Sequence, residues 1–324
     1  MRIRIAAGLL FMAFVMSGLF AADAPKPAAV PLPVHYEGDR FWVEPVMPKG
    51  QTVKFLTDTD GGLIILEESV KRLEVPIKSV GEGAGRIDFI LMPEFKPEAS
   101  VPPPLGNDGN ILVSLPVSRP GDPTEPADGV LGQAWFSGRV WTLDYPAKRI
   151  LWYPKGGMPA GDPAHRVPLG FKKDENGKRA ADFARLTVTI DGEPLDLVLD
   201  TGATIKLNDE ALKALGDKGP ASRATSFIGQ SHFDAWHQKH PTWRVIDKAD
   251  SMQEDEPMIE VPAVTVAGHT VGPVWFTRRP DPNYHQFASF WTDKRVEGAL
   301  GGSALKYFRV SLDYPNAVAV FERR

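Results

Sequence analysis

Short apolar runs, separated by glycine, proline and aspartate, recur along the chain from residue 35 onward. Runs of roughly four to eight apolar or alternating residues with turn-forming residues at both ends are typical of β-strands. Two segments, 67–73 and 209–215, have instead the spacing of one or two helical turns. The pattern therefore predicts an all-β fold with short helices.

One of these apolar runs, 195–199, ends on Asp200, and Thr201 and Gly202 follow it. A carboxylate that a buried strand delivers into a tight turn differs from an ordinary surface aspartate, because burial and nearby charges change its pKa. We therefore expect the surroundings of Asp200 to set its ionisation. This turn is the centre of the candidate site.

The two halves of the chain carry the same pattern. A single displacement along the sequence aligns Asp58 with Asp200 and Thr59 with Thr201 without a gap. A second, larger displacement aligns the Gly-x-Leu-Gly segments 129–132 and 298–301 and the Leu-Asp-Tyr-Pro segments 143–146 and 312–315. Because the second displacement is the larger, the second copy has a longer region between its motifs. Two ungapped blocks in one order indicate an internal duplication, and repeated units normally pack against each other.

The order of an apolar run, Asp-Thr-Gly-Ala, a short helix, Gly-x-Leu-Gly and a strand ending in Asp-Tyr-Pro resembles the retropepsin-like aspartic proteases. Two such units in one chain resemble the two lobes of pepsin. The resemblance covers about residues 41–153 and 183–322, and it is strong in the second copy and degenerate in the first. It implies two β-barrel lobes, with each Asp-Thr-Gly loop at the lobe interface and the Gly-x-Leu-Gly strand crossing behind it.

The resemblance implies an aspartic endopeptidase that acts on a peptide or protein substrate and needs neither a cofactor nor a metal. Two carboxyl groups about 3 Å apart cannot both ionise, so one serves as the acid and the other as the base for an attacking water. The residues carried over are the catalytic pair Asp200 and Asp58, the bracing threonines Thr201 and Thr59, and the supporting glycines Gly202 and Gly61.

The first copy departs from the family at Asp60, which stands where glycine belongs in the segment 58–62. Aspartate tolerates left-handed backbone, so we expect the turn to persist. A third carboxylate would, however, disfavour ionisation of the pair. This feature favours a second hypothesis, a catalytically inactive relative that binds peptide in the cell envelope.

Two other interpretations of the first copy stay open. Moving the register by two positions would make Asp60 the catalytic acid, but it would break every other match in the block. The Asp-x-Asp spacing also occurs in calcium loops, but here it continues into Gly-Gly-Leu and lacks the remaining ligands.

The N-terminal segment decides the predicted compartment. Arg2 and Arg4 precede an uncharged apolar run, 5–21, which is the arrangement of a secretory signal. We therefore predict a periplasmic or secreted protein, and the alternative is an uncleaved N-terminal anchor. The predicted organisation is a signal peptide at 1–22, a Pro/Ala-rich linker at 23–34, a first lobe at 35–153, an interlobe linker at 154–168 and a second lobe at 169–324.

Composition and charge narrow the set of partners. The formal net charge is −4 and the sequence pI is near 6.0, so the chain has no excess of basic residues for nucleic acid. It contains no cysteine, which excludes disulfides and thiol nucleophiles. Because a two-lobed chain supplies both halves of the site, we expect a monomer with no membrane contact beyond the alternative anchor.

Three further segments have their own interpretations. A metallohydrolase would use His232, His237 and His240, but their spacings of five and three form no HExxH motif, so we expect an exposed polar loop. We expect the glycine-rich segment 81–85 to be either a hairpin turn or a mobile loop over a cleft. The segment 250–259 is predicted to be an acidic surface run.

Overall fold

The computed structural model describes residues 28–105, 109–114 and 127–323. The signal peptide predicted for residues 1–22 lies outside these residues. Within the described ranges, none of the helices combines the length and the apolar character that a membrane span requires. This part of the chain consists mainly of strands with a few short helices, so the all-β prediction is confirmed.

The strands are short and follow one another closely along the chain. Those before residue 155 are β1 Val30–Pro31, β2 Val34–Glu37, β3 Arg40–Val43, β4 Phe55–Thr57, β5 Ile64–Leu66, β6 Lys78–Val80, β7 Ile87–Leu91, β8 Asn110–Ser114, β9 Gly129–Leu131, β10 Val140–Asp144 and β11 Arg149–Trp152. Those after it are β12 Arg166–Pro168, β13 Arg185–Ile190, β14 Glu193–Leu199, β15 Thr204–Lys206, β16 Ser222–Ala224, β17 Ser226–Gly229, β18 Val245–Asp250, β19 Glu256–Val261, β20 Val264–Val266, β21 His269–Val271, β22 Val274–Arg279, β23 Gly298–Leu300, β24 Phe308–Asp313 and β25 Val318–Arg323.

The helices are equally short. They are α1 Glu67–Leu73, α2 Gln133–Phe136, α3 Asp209–Leu215, α4 Gln230–Lys239, α5 Ser289–Trp291 and α6 Gly302–Leu305, with a π-helical turn at Asn283–Ala288 and 3₁₀ turns at Gly83–Gly85, Pro97–Ala99 and Pro163–His165. The α1 and α3 helices coincide with the two predicted helical segments. The Asn208 side chain caps α3 by accepting the Ala211 N–H at 2.9 Å, and Gly216 ends it with a positive φ of 70°.

Three larger sheets and one two-stranded sheet hold these elements together. The first half of the chain forms an eight-stranded sheet in the order β2-β3-β4-β9-β5-β8-β7-β6. The second half forms a nine-stranded sheet in the order β18-β19-β22-β17-β23-β14-β13-β20-β21, and β15 pairs with β16. Both halves contribute to a six-stranded sheet in the order β1-β11-β10-β24-β25-β12. Each half of the chain therefore has its own sheet, and a shared sheet joins the two.

The expectation of β-barrel lobes is wrong. Both large sheets are open, because β2 and β6 are the unpaired edges of one and β18 and β21 are the edges of the other among the described strands. A barrel would require these edge strands to pair with each other. Each half of the chain is therefore built on an open sheet.

The segments that the sequence alignment paired occupy matching positions in the two halves. The β4 strand runs parallel to β9, and β14 runs parallel to β23. The β5 strand then lies antiparallel to β9, as β17 does to β23. In each half the Gly-x-Leu-Gly strand thus lies between two strands, one of which ends at an aspartate turn. The origin of this likeness by duplication stays a prediction.

Parts of both predicted linkers are structured. The β1 strand, inside the 23–34 segment, pairs with β11, and Leu32 is buried. The β12 strand, at the end of the 154–168 segment, pairs with β25. The glycine-rich segment 81–85 connects the antiparallel strands β6 and β7, which confirms the hairpin interpretation.

The acidic segment 250–259 is not a surface run throughout. Asp250 is fully buried and accepts hydrogen bonds from the Arg279 guanidinium at 2.6 Å and the Met252 N–H at 3.1 Å. Met258 and Ile259 are also buried. The prediction was wrong here because the compensating cation comes from a separate strand, β22.

Aromatic side chains fill the core beneath the first aspartate turn. Phe41 on β3 and Tyr145 after β10 are both buried, with ring centroids 4.9 Å apart. Burying a side chain of this size stabilises the fold by about 1.5–3 kcal/mol. The Phe41 carbonyl also accepts the Thr57 hydroxyl at 3.1 Å, so the core fixes the strand that leads into the turn.

Candidate active site

Two aspartates leave the ends of equivalent strands. Asp58 follows β4 and donates its backbone N–H to the Leu131 carbonyl of β9 at 3.1 Å. Asp200 follows β14 and donates its N–H to the Leu300 carbonyl of β23 at 3.0 Å. The same parallel strand pairing therefore delivers each carboxylate to its turn.

The structure brings the two carboxyl groups together. They are hydrogen-bonded to each other across the two halves of the chain. Asp200 is only 6% exposed, and Asp58 is half-buried. A Cβ atom added to Gly202 would collide with the Asp58 carboxyl group, so only glycine fits at that position.

Two threonines connect the turns by reciprocal hydrogen bonds. The Thr201 hydroxyl accepts the Thr59 N–H at 3.1 Å and donates to the Thr57 carbonyl at 3.1 Å. The Thr59 hydroxyl accepts the Thr201 N–H at 3.1 Å and donates to the Leu199 carbonyl at 2.6 Å. Because Thr59 and Thr201 are buried, these four bonds have little competition from water and hold the turns in one relative position.

Within each turn, the second amide after the aspartate donates back to its carboxylate. The Asp60 N–H donates to Asp58 Oδ1 at 3.0 Å, and the Gly202 N–H donates to Asp200 Oδ1 at 2.9 Å. Asp60 therefore occupies the place of Gly202, and Asp58 the place of Asp200. This geometry agrees with the gap-free alignment and disagrees with a register moved by two positions.

Asp60 does not need the left-handed backbone that the sequence suggested. Neither Asp60 nor Gly202 has a positive φ. Glycine is therefore required at position 202 because a side chain would collide with the opposite carboxyl group, and not because the backbone conformation demands it.

Three further glycines are required by close packing behind the turns. A Cβ atom on Gly61 would collide with the Asp58 side chain, and one on Gly132 would collide with the Gly61 carbonyl. On the other side, a Cβ atom on Gly301 would collide with the Thr225 carbonyl. The last glycine of each Gly-x-Leu-Gly segment thus lies directly against the backbone near its aspartate turn.

The environment raises the pKa of both paired carboxyl groups. Burial raises the pKa of Asp58, while hydrogen bonds from the Asp60 N–H, from Asp200 and from the Gly61 N–H lower it in part. Burial raises the pKa of Asp200 well above its ordinary value, and the charges of Asp58 and Asp60 raise it further. The two carboxyl groups interact directly, so their titration steps belong to the pair rather than to either residue.

Asp60 is a third carboxyl group in the same environment. Burial raises its pKa well above the ordinary value, and the negative charge of Asp58 raises it further. Three neighbouring carboxyl groups cannot all be ionised in a poorly solvated site. The first turn therefore carries an additional titrating group that the second turn lacks.

The three histidines do not assemble a site. They lie on or directly after α4, where we expected a loop, because Phe233 and Trp236 have helical spacing and bury one face of a helix. His232 pairs with Glu297 at 3.2 Å, whereas His240 pairs with Asp191 at 2.8 Å. In the described ranges no three His, Asp or Glu side chains are grouped as metal ligands.

One residue of the second turn was missed. The Thr204 hydroxyl donates to the Gly202 carbonyl at 2.8 Å and so links the start of β15 to the turn. The sequence gives no local signal for this role, because threonine is common in strands.

Comparisons with known proteins identify no family, since no protein family and no curated protein matches the sequence. Among solved structures, the aspartic proteinase from Irpex lacteus is 10% identical, with a TM-score of 0.48, over 91% of this chain and 97% of that one. The structure of edgp is also 10% identical, with a TM-score of 0.44, over 91% of this chain and 95% of that one. At this identity neither structure assigns a chemistry to this chain.

Proposed function

We propose that this protein is an exported aspartic endopeptidase that hydrolyses peptide bonds with Asp58 and Asp200. The observation that carries the proposal is the hydrogen bond between these two carboxyl groups, which requires the pair to hold a proton and so leaves it an acid as well as a base. The signal peptide predicted at residues 1–22 is the basis for the proposed export, and the presence of both aspartates in one chain supports a monomer.

We assign a different role to each aspartate, because Asp200 is the more deeply buried of the two and burial disfavours its ionised form. Asp58 carries the negative charge and takes a proton from a bound water as the water oxygen forms a bond to the peptide carbonyl carbon. Asp200 gives its proton to the carbonyl oxygen, so no free oxyanion accumulates. The proton on Asp58 then passes to the amide nitrogen as the C–N bond breaks, and Asp200 recovers its proton from the collapsing diol.

An apolar sheet face supports an extended peptide as the substrate. Ile64 opposes Leu112 and Leu112 opposes Phe89, so these side chains share one face of the first sheet. Val80 opposes Ile87 further along, and they are 65% and 47% exposed. The face begins shortly after the first aspartate turn and ends at the edge strand β6, whose free backbone groups can pair with an extended chain. We propose a preference for peptides with apolar side chains.

Cleavage of a quenched-fluorescence peptide library by the full chain, from about pH 3 to about pH 7, tests the proposal. The wild type is compared with Asp58→Asn and Asp200→Asn. Asp174→Asn, in an exposed turn, is the matched control. We expect cleavage by the wild type and the control, and loss of cleavage in both site variants.

Two results would contradict the proposal, one the role of Asp58 and the other the peptidase activity itself. Loss of cleavage in Asp200→Asn alone would transfer the role of the base from Asp58 to Asp60. Absence of cleavage at every pH by a folded wild type would reject the peptidase and favour the inactive peptide-binding protein.

A further inference from the structure

A buried arginine from the first half of the chain reaches into the second aspartate turn. Arg40 lies on β3 and is only 1% exposed. Its Nη1 donates to the Thr204 hydroxyl at 3.2 Å, and its Nη2 donates to the Ser222 carbonyl at 2.8 Å. The acceptors lie on β15 and β16, whose short sheet follows Asp200 directly. Arg40 is therefore a contact between the two halves beside the site.

The bonds continue from Arg40 to the catalytic carboxyl group. The Thr204 hydroxyl, which accepts from Arg40, donates to the Gly202 carbonyl at 2.8 Å. The Gly202 N–H in turn donates to Asp200 Oδ1 at 2.9 Å. The Gly202 carbonyl and N–H belong to adjacent peptide groups that meet at the Gly202 Cα, so the guanidinium acts on Asp200 by fixing the backbone at Gly202.

The turn before Arg40 is itself fixed against the second half. The Gly38 carbonyl accepts the Ala224 N–H at 2.7 Å. A Cβ atom on Gly302 would collide with the Asp39 carbonyl. The Arg40 guanidinium also lies 4.6 Å from the centroid of the Trp42 ring, which holds it in place. The arginine consequently has one well-defined position.

Among the described residues, the first turn has no equivalent support. The displacement that aligns the two turns places Asp182 opposite Arg40, and Asp182 pairs with Arg179 within its own half. This support from the other half of the same chain thus acts, among the described residues, on one aspartate turn only. That turn contains Asp200, the more deeply buried carboxyl group of the pair.

We propose that Arg40 is a positioning residue that fixes the Gly202 amide against Asp200 through Thr204. This inference rests on the proposed peptidase function. Without the arginine, the Thr204 hydroxyl loses a donor, the backbone on both sides of the Gly202 Cα gains freedom, and the Gly202 N–H is directed less well at Asp200. A misplacement of about 1 Å at a reacting group can lower the rate about a hundredfold.

The experiment compares Arg40→Met, Thr204→Val and Thr204→Ser in the full chain. Arg309→Met is the matched control, because Arg309 is a largely buried arginine on β24 that pairs with Glu322 and Asp144 and makes no hydrogen bond to either aspartate turn among the described residues. We expect kcat to fall about tenfold to a hundredfold in Arg40→Met and Thr204→Val, with KM changed less than about threefold. Thr204→Ser keeps the hydroxyl and should restore most of the rate.

A second measurement separates this inference from the proposed function. The carboxyl groups are titrated by ¹³C NMR, and Asp200→Asn identifies the Asp200 signal. Because the Gly202 N–H favours the ionised form of Asp200, Arg40→Met and Thr204→Val should move the upper titration step of the pair to higher pH. The control should leave it unchanged.

The two outcomes are distinguishable. If the wild type cleaves no peptide but the titration still moves in Arg40→Met, the peptidase is rejected while the positioning role stands. If Arg40→Met and Thr204→Val titrate like the wild type, or if Arg309→Met lowers kcat and moves the titration equally, the positioning role is overturned.

Discussion

The two aspartate turns make the same hydrogen bonds with different residues at their third position. Each turn has a threonine hydroxyl that bonds across to the other turn and an amide that donates back to its own carboxylate. That amide belongs to Asp60 in the first turn and to Gly202 in the second. The backbone pattern is therefore retained where it binds the two halves, while the side chain at this position differs.

The difference between the turns lies in what occupies the space beside each amide. The Asp58 carboxyl group lies where a side chain on Gly202 would extend, so the second turn admits only glycine. The first turn has room for the Asp60 side chain, whose carboxyl group interacts electrostatically with both Asp58 and Asp200. The second turn also has a support from the other half of the chain, through Arg40. The two turns are thus equivalent in backbone and unequal in charge and support.

The largest expected effect removes the acid or the base. Asp58→Asn and Asp200→Asn should each lower kcat by about a thousandfold or more, because general acid and base groups contribute about 10²–10⁴ each. The double variant should be no slower than the slower single variant, since the two act as a unit. Steady-state rates on one cleaved peptide measure this. Additive losses in the double variant would show that the aspartates act independently.

Alanine at the third position of each turn, Gly202 or Asp60, tests whether the two turns differ in free space. Gly202→Ala should lower kcat about a hundredfold, because its methyl group must displace the Asp58 carboxyl group. Asp60→Ala at the equivalent position needs no new space and should change kcat less than about tenfold. The same kinetic assay checks both variants. A similar loss of kcat in both variants would mean that the two turns have equally little space for a side chain.

Thr201 and Thr59 should contribute equally to the stability of the fold. Thr201→Val leaves the buried Thr59 N–H and the Thr57 carbonyl without partners, and Thr59→Val does the same to the Thr201 N–H and the Leu199 carbonyl. Each unpaired group costs about 1–3 kcal/mol, so both variants should lose similar unfolding free energy. Urea denaturation measures this, and serine at either position should restore the stability. A large inequality between the two would contradict the symmetry of the bracing.

The smallest expected effect is on the pH dependence of the unfolding free energy. The pKa of Asp60 is raised above its ordinary value of 3.8 in the folded protein, so its contribution to stability is full below that value and is lost as the pH rises toward the folded pKa. The unfolding free energy of the wild type should therefore decline above about pH 4. Asp60→Asn removes one of the three groups and should flatten that decline. An unchanged pH dependence in Asp60→Asn would show that the Asp60 carboxyl group is well solvated.

Several features of the site followed from the residue pattern alone. The apolar run ending on Asp200 and the aligned segment before Asp58 predicted strands that lead into turns, and the spacing at 67–73 and 209–215 predicted the two helices that the structure has. These features depend on local periodicity and turn-forming residues, which act over a few neighbours. The gap-free alignment also identified which aspartate of the first turn corresponds to Asp200, because a repeated order of motifs survives local substitutions.

Other features depend on partners far away in the chain, and only the tertiary structure decided them. The open sheets, the burial of Asp250 by Arg279 and the contact of Arg40 with the second turn each bring together residues from separate strands. Gly202 is required by a carboxyl group from the other half of the chain, and not by its own backbone conformation. Such contacts form when the halves pack, because space, charge and hydrogen-bond partners at a buried position are set by whatever the fold places beside it.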